Sequence, residues 1–380
     1  MAGVSYYKAA LPGRVECESG APPPAAAALL EALYSEGLGE LAYTNGLALP
    51  RPRFPSAGVA PPAHVAAEPT RVLVPVGGGK DSAVAIEVVR ASGLELGLFS
   101  VGDVIPIRRA AEVAGLRRLI ARRTIDPALI ALNERGAVNG HVPITAIVSC
   151  IALLTAALGG FDAVAMANER SASSANLVWD GVEVNHQFSK GLRAERMLEA
   201  AAAEAGAQVA CFSVLRPASE LAIARAFARL PQYHRAFTSC NAVFRLDPGL
   251  RSASWCGDCP KCRFVFLALA PFTTPEHLTE IFGRDLLADD EQFEGFALLT
   301  ATGGHKPFEC VGEERESLAA IAMLAEDERW RGHSVVRRLA DEVLAQAPAG
   351  TADPAAALSL SEDHDVPPVL LTQVNALLGA

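Results

Sequence analysis

Lysine is scarce in this chain: five residues in 380, at positions 8, 80, 190, 261 and 306. Arginine makes up the rest of the 33 basic residues, 33 − 5 = 28. Against 43 Asp and Glu the formal charge is −10, so there is no basic surplus. A non-specific nucleic-acid coat or an anionic membrane surface would repel such a chain. Nucleic acid and membrane are therefore not expected partners; a small molecule is. Cysteine is also too sparse for a disulfide scaffold. Of eight cysteines, three crowd into residues 256–262, which reads as metal binding in a reducing compartment. The first twenty residues lack a basic start followed by an apolar run, so no secretory signal is read and a cytoplasmic location is expected. Disorder is excluded by 51% hydrophobic and 20% charged residues. Residues 142–161 are uncharged and long enough to span a bilayer. Pro143, Thr145, Ser149, Thr155 and the Gly159-Gly160 pair, with no basic cluster close by, point instead to a buried helix followed by a strand at 161–167.

Proline- and alanine-rich stretches at 21–28 and 49–69 suggest a short N-terminal segment and linker over residues 1–69. Apolar runs at 71–76, 94–100, 116–121, 161–167 and 208–214 alternate with helix-length segments. That alternation predicts an α/β domain over 70–230 with a doubly wound, mostly parallel sheet. From residue 231 the pattern changes to a cysteine-rich turn and then helical periodicity at 264–269 and 313–345, giving a metal-containing helical region over 231–346. Residues 347–380 read as a partly loose tail.

The run at 71–76 leads into Gly77-Gly78-Gly79-Lys80-Asp81-Ser82 and then a helical pattern. Three glycines between a strand and a helix let backbone amides approach an anion. Lys80 can add a point charge and Ser82 a hydroxyl. A carboxylate at Asp81 makes sense if it holds Mg²⁺ against phosphates. The spacing fits neither the Walker A loop nor the dinucleotide fingerprint. The string resembles the Ser-Gly-Gly-x-Asp-Ser loop of N-type ATP pyrophosphatases, with Gly77 in place of the first serine. That resemblance implies ATP cleavage to AMP and diphosphate with adenylation of an acceptor oxygen. In such folds the nucleotide lies beyond the carboxyl ends of the strands, so Val101-Gly102-Asp103 is a natural place for adenosine contacts.

Cys256-Gly-Asp-Cys259-Pro-Lys-Cys262 gives two C-x₂-C steps, and Cys240 lies upstream. Four such thiolates suit tetrahedral Zn²⁺ in a closed, structural site. An iron–sulfur cluster and a redox dithiol pair are the alternatives. Polar density recurs at Asn168-Glu169 and on to Asn176, and at Asn185-His186-Gln187-Phe188-Ser189-Lys190, where either ligand contacts or capped loops are possible. Residues 303–312 contain His305, Lys306, Glu309 and Cys310, all able to move protons. A free cysteine is more often core filler, but a flanking His and Lys would lower its pKa if close in space.

Taken in order, these motifs resemble the UDP-N-acetylmuramoyl-L-alanyl-L-glutamate epimerase family of bacterial peptidoglycan (cell-wall) synthesis, over roughly residues 70–315. The N-terminal segment is short for that family. The resemblance implies an isomerase that spends ATP to turn the terminal L-glutamate into D-glutamate. It implies ATP, Mg²⁺ and a structural Zn²⁺ as cofactors. Gly77, Gly78, Gly79, Lys80, Ser82 and Asp103 would bind nucleotide. Asn168, Glu169, Asn185, His186, Lys190 and Lys306 would bind the UDP-linked dipeptide. Asp81 and Lys80 would serve adenylation, and Cys310 with His305 the proton relay. Another adenylating enzyme (a deazaguanine-nitrile synthase or an amidating ligase) and a non-catalytic nucleotide sensor are the alternatives.

Overall fold

Alternating burial along the first strand sets the layers of the molecule. In β1 (Arg71–Pro75), Val72 and Val74 face one core and Leu73 the other, as the two-residue period of a strand requires. A computed structural model describes residues 1–18, 20–58, 68–245, 248–252, 254–302 and 304–379. Residues 59–67 of the proline-rich stretch and Gly303 of the 303–312 motif lie outside the described residues. The main sheet adds β2 (Glu95–Val101), β3 (Arg118–Ala121), β4 (Ala163–Met166) and β7 (Ala210–Ser213). All pairings are parallel, in the order β3-β2-β1-β4-β7. The expected parallel sheet is thus observed. The order reverses between β1 and β4, which opens a crevice at their carboxyl ends.

Helices cover both faces. On the Val72 side lie Lys80–Ala91, Ile105–Ala114 and Glu220–Ala228, then the C-terminal helices Pro260–Leu269 and Glu314–Glu326. On the Leu73 side lie Pro24–Tyr34, Ile144–Gly159 and Leu192–Glu204. The alanine-rich N-terminal segment is therefore a helix with Ala27, Leu29, Ala32 and Leu33 buried, since small alanines let helices approach closely. The uncharged run forms the helix Ile144–Gly159, but it is buried along one face only: Leu154 is 62% and Leu158 82% exposed. No helix among the described residues is long and apolar enough to cross a membrane.

Two expectations change. Residues 347–379 are not loose, because the helix Pro368–Leu378 buries Leu370, Val374 and Leu378 in the main core. The helical periodicity at 313–345 is broken after Glu326, and a second helix starts only at Ser334. One element went unforeseen: β5 (Leu177–Trp179) and β6 (Val182–Val184) form an antiparallel hairpin. Asp180 and Gly181 turn it with φ of 50° and 73°, the positive angles a two-residue turn needs.

Candidate active site

A crevice of about 610 Å³ opens at the strand reversal. Pro75, Val76, Gly77 and Gly79 line it after β1, Phe99 to Val101 along β2, and Met166 to Asn168 after β4. Gly78 takes φ +82°, and a Cβ there would stand 2.7 Å from the Pro106 backbone. Only glycine fits that turn. Gly77 has open space around it, so the loop presents backbone to the crevice. Gly79 caps the helix Lys80–Ala91 with no side-chain hydrogen bond, which leaves its first amides facing the cavity. Ser82 Oγ donates to the Gly79 carbonyl at 3.0 Å, and Thr238 N to the Gly78 carbonyl at 2.9 Å. The arrangement is an anion cradle at a helix N-terminus.

The charge that faces this cradle differs from the sequence expectation. Lys80 is 2% exposed and its ammonium turns inward, paired with Asp81 and with Glu220 at the start of the helix Glu220–Ala228. Those two carboxylates hold Lys80 protonated well above the usual lysine range, against the opposing effect of burial. Lys80 therefore does not line the crevice. Lys261 does, between two of the cluster cysteines, and makes no ion pair among the described residues. Asp81 also lines it. Burial pushes that carboxyl up, but Lys80, with Lys190 and Lys261 farther off, keeps it below the ordinary carboxylate range.

Beside the crevice sits a second group of polar residues around Cys310. Burial pushes this thiol up. The ammonium groups of Lys190 and Lys261 and a hydrogen bond with His186 outweigh burial and bring it down to about 6. For His186, burial lowers the pKa, while hydrogen bonds to Cys310 and Glu40 raise it to about 9. Both shifts favour the thiolate–imidazolium form of the pair. Lys190 lies 3.9 Å from Glu169, whose Oε1 is buried without a hydrogen bond. Arg216, 1% exposed, fixes these loops by donating to the carbonyls of Glu169 and Lys190.

The four cysteines converge as their spacing suggested. Cys240 Sγ is 4.0 Å from Cys259, Cys256 is 3.7 Å from Cys262, and Cys259 is 3.5 Å from Cys262. Four thiolates held at about 2.3 Å around a tetrahedral ion stand roughly 3.8 Å apart, so the set fits a metal ion. Cys259 is also the residue preceding the helix Pro260–Leu269, so the cluster fixes where Lys261 begins that helix. Asn241, next to Cys240, donates to Glu309 at 2.5 Å and ties the cluster to the Cys310 loop. Cys259→Ser should lose metal and stability together, because ligand binding is coupled to folding here. We expect a melting temperature lower by about 5 °C or more. Full metal content at an unchanged melting temperature would show that Cys259 is not a ligand.

The family description "MurL N-terminal domain" matches residues 1–214, and "MurL C-terminal domain" matches 236–353. Relatives called UDP-N-acetyl-alpha-D-muramoyl-L-alanyl-L-glutamate epimerase align over nearly the whole chain. That of Micromonospora sp. is 49% identical over 379 residues, covering 97% of this chain and 82% of its own. That of Salinispora tropica is 51% identical over 351 residues, covering 90% and 75%. That of Xanthomonas oryzae pv. oryzae is 42% identical over 383 residues, covering 99% and 84%. The chain belongs to this MurL epimerase family.

Within the MurL-type architecture, several motif residues take other positions than their order in sequence suggested. His305 is exposed and packs on Tyr43 and Phe308, with ring centroids 6.0 and 5.1 Å away. Lys306 is buried, its ammonium 3.4 Å from the Gly312 carbonyl. The groups that act most on Cys310 are Lys190, Lys261 and His186. Asn185 spends both ends of its amide on the Ala172 carbonyl and Gln187 N–H. Asp103 is held by Arg108 and Arg118 and does not line the crevice. In the 168–176 loop the polar residues divide. Asn168 lines the crevice, whereas Ser171 and Ser174 bond to Glu316 and Glu313 at the start of the helix Glu314–Glu326. Sequence reasoning did not bring Glu40 and His141 to His186, Glu220 to Lys80, or Lys261 to the crevice. Glu40, His141 and Glu220 sit in no motif, whereas Lys261 lies inside the cysteine motif and was conspicuous as one of five lysines.

Proposed function

We propose that the chain inverts the terminal L-glutamate of UDP-N-acetylmuramoyl-L-alanyl-L-glutamate to D-glutamate, using ATP through an acyl-adenylate. AMP and diphosphate are the other products. One observation carries this reading: an uncapped glycine cradle for phosphates lies near Cys310 and His186, whose surroundings favour the thiolate and the imidazolium. The cavity also lies within the about 300–1,000 Å³ usual for small-molecule sites.

The chemistry needs both halves. The α-proton beside an ionised carboxylate is very weakly acidic, because its loss makes a dianion. Attack of the α-carboxylate on the ATP α-phosphorus forms the C–O–P bond and expels diphosphate. The resulting mixed anhydride removes the carboxylate charge and accepts electron density. Cys310 thiolate then takes the α-proton: the C–H bond breaks, an S–H bond forms, and the electron pair enters the enolate. A proton returned to the opposite face inverts the centre, and water releases AMP and the carboxylate. Gly77, Gly78, Gly79 and the first helix amides would receive the phosphates, with Lys261 as their cation. Asp81 would hold Mg²⁺, which would neutralise phosphate charge. Lys190, Asn168 and Glu169 would contact the dipeptide end. Zinc in the cysteine cluster, an ATP pyrophosphatase-type fold for residues 70–230, a substrate-binding role for 231–346 and a cytoplasmic location complete the reading.

The direct test is incubation with ATP, Mg²⁺ and the UDP-linked dipeptide, followed by chiral analysis of released glutamate. D-glutamate in step with AMP and diphosphate supports the reading. AMP without inversion would point to a ligase, and nucleotide binding without turnover to a sensor. Lys261→Met should lower the rate of AMP formation at low ATP by about 10–100-fold, since a charge-assisted contact is worth about 1.5–3 kcal/mol. Metal content should stay unchanged. A normal rate would move the phosphate cation elsewhere.

A further inference from the structure

The N-terminal segment does more than cover the sheet. Two of its residues approach the site closely. A Cβ on Gly37 would lie 3.1 Å from Pro143, just before the helix Ile144–Gly159, and one on Gly39 3.7 Å from Val184 of β6. This packing delivers Glu40, in the short helix Gly39–Thr44, to the loop that follows β6. There its carboxylate bonds His186 Nδ1, with the Glu40 side chain 14% and the His186 side chain 10% exposed. Cys310 lies close enough to His186 that each shifts the other's protonation, through hydrogen bonding and charge. The His186 ring is held further by His141, whose ring centroid lies 4.1 Å away. Its backbone N–H donates to Asn176 at 2.9 Å, Asn176 donates to the Pro307 carbonyl at 3.0 Å, and Gln187 donates to the Val311 carbonyl at 3.3 Å. These bonds tie the histidine loop to the cysteine loop on both sides.

We propose that Glu40, His186 and Cys310 form a carboxylate–imidazole–thiol triad in which Glu40 is the positioning residue that sets the thiolate. The first group lies in the N-terminal segment, the second after β6 and the third past the metal cluster, so the triad exists only in the folded chain. Glu40 would fix the Nδ1–H tautomer and favour the imidazolium, which in turn holds the proton of Cys310 off its sulfur. The surroundings agree in sign. Lys190 and Lys261 also favour the thiolate, while Glu169, Asp81 and Glu220 act on Lys190 and keep it charged. His141 is pushed down to about 3 by burial and by the charges of His186 and Lys190, so it stacks as a neutral ring and adds no second positive charge.

The inference rests on the proposed use of Cys310 as a base, but its test needs no substrate. Full-length, metal-replete protein is alkylated with iodoacetamide from about pH 5 to 9, and the Cys310 peptide is followed by mass spectrometry. The native chain should show a midpoint near 6. In Glu40→Gln, loss of the carboxylate lowers the His186 pKa and so raises that of Cys310. The midpoint should rise by about one unit or more. Glu40→Asp, which keeps the charge, should recover part of the shift. A thiol merely loosened into solvent would also drift up towards about 8.5, so the shift is read only from a variant whose melting temperature and protection of the buried Cys211 match the native chain. If Glu40→Gln does not fold, His186→Gln must give the same upward shift. An unmoved midpoint in the folded variants overturns the triad. So does a second equivalent of transition metal that is lost on His141→Gln, since Glu40, His141 and His186 would then be its ligands. Failure of epimerisation with the expected shift would instead count against the function and leave the triad standing.

Discussion

Asp81→Asn should give a folded protein that forms no measurable AMP or diphosphate. The side chain is isosteric, it lines the crevice, and Lys80 keeps Glu220 as its buried partner, so little packing is lost. What disappears is a carboxylate held ionised by Lys80 and facing the glycine cradle. Losing a metal-positioning charge is worth several kcal/mol. About 4 kcal/mol already lowers the rate by roughly a thousandfold. Diphosphate release and the melting temperature check this together. Near-normal release from a variant of unchanged stability would remove Asp81 from the chemistry and with it the assignment of the loop.

Cys310→Ala should separate the two half-reactions. Adenylation rests on the cradle, Asp81 and Lys261, none of which needs a thiol, so AMP and diphosphate should still form. Deuterium entry at the glutamate α-carbon should fall by about 10²–10⁴-fold, the usual contribution of a positioned base. In the native chain the same step should follow pH in a set way. It rises as Cys310 loses its proton near 6 and holds until His186 loses its own near 9. The alanine variant should lose that lower limb. A normal inversion rate in Cys310→Ala would make the thiol filler and move the base elsewhere. Loss of AMP formation as well, in a folded variant, would mean that the 304–312 loop binds substrate before any chemistry.

The parallel sheet was legible because buried central strands read as continuous apolar runs, and each run fell on a strand. The glycine loop was equally plain, since its turn tolerates no side chain at Gly78. The hairpin β5–β6 was missed although Asp180-Gly181 signals such a turn; the polar residues around it drew attention to ligand contacts instead. The N-terminal helix was hidden by composition, because alanine-rich text looks like a linker until a facing helix gives it something to bury. The direction of a side chain is not written in a motif. Lys80 sits in the loop string yet turns to Glu220, while Lys261 reaches the crevice from within the cysteine cluster. Proton partners were harder still. His305 is only five residues from Cys310 in sequence, but the fold brings His186 to it and, behind His186, Glu40.

The central claim is that ATP is spent to make one carbon acidic. Incubation in D₂O with ATP, Mg²⁺ and UDP-N-acetylmuramoyl-L-alanyl-L-glutamate tests it directly. Deuterium should enter the glutamate α-carbon only when ATP is present, with AMP and diphosphate formed alongside. Deuterium entry without ATP, or AMP formation with no deuterium at that carbon, would contradict the account.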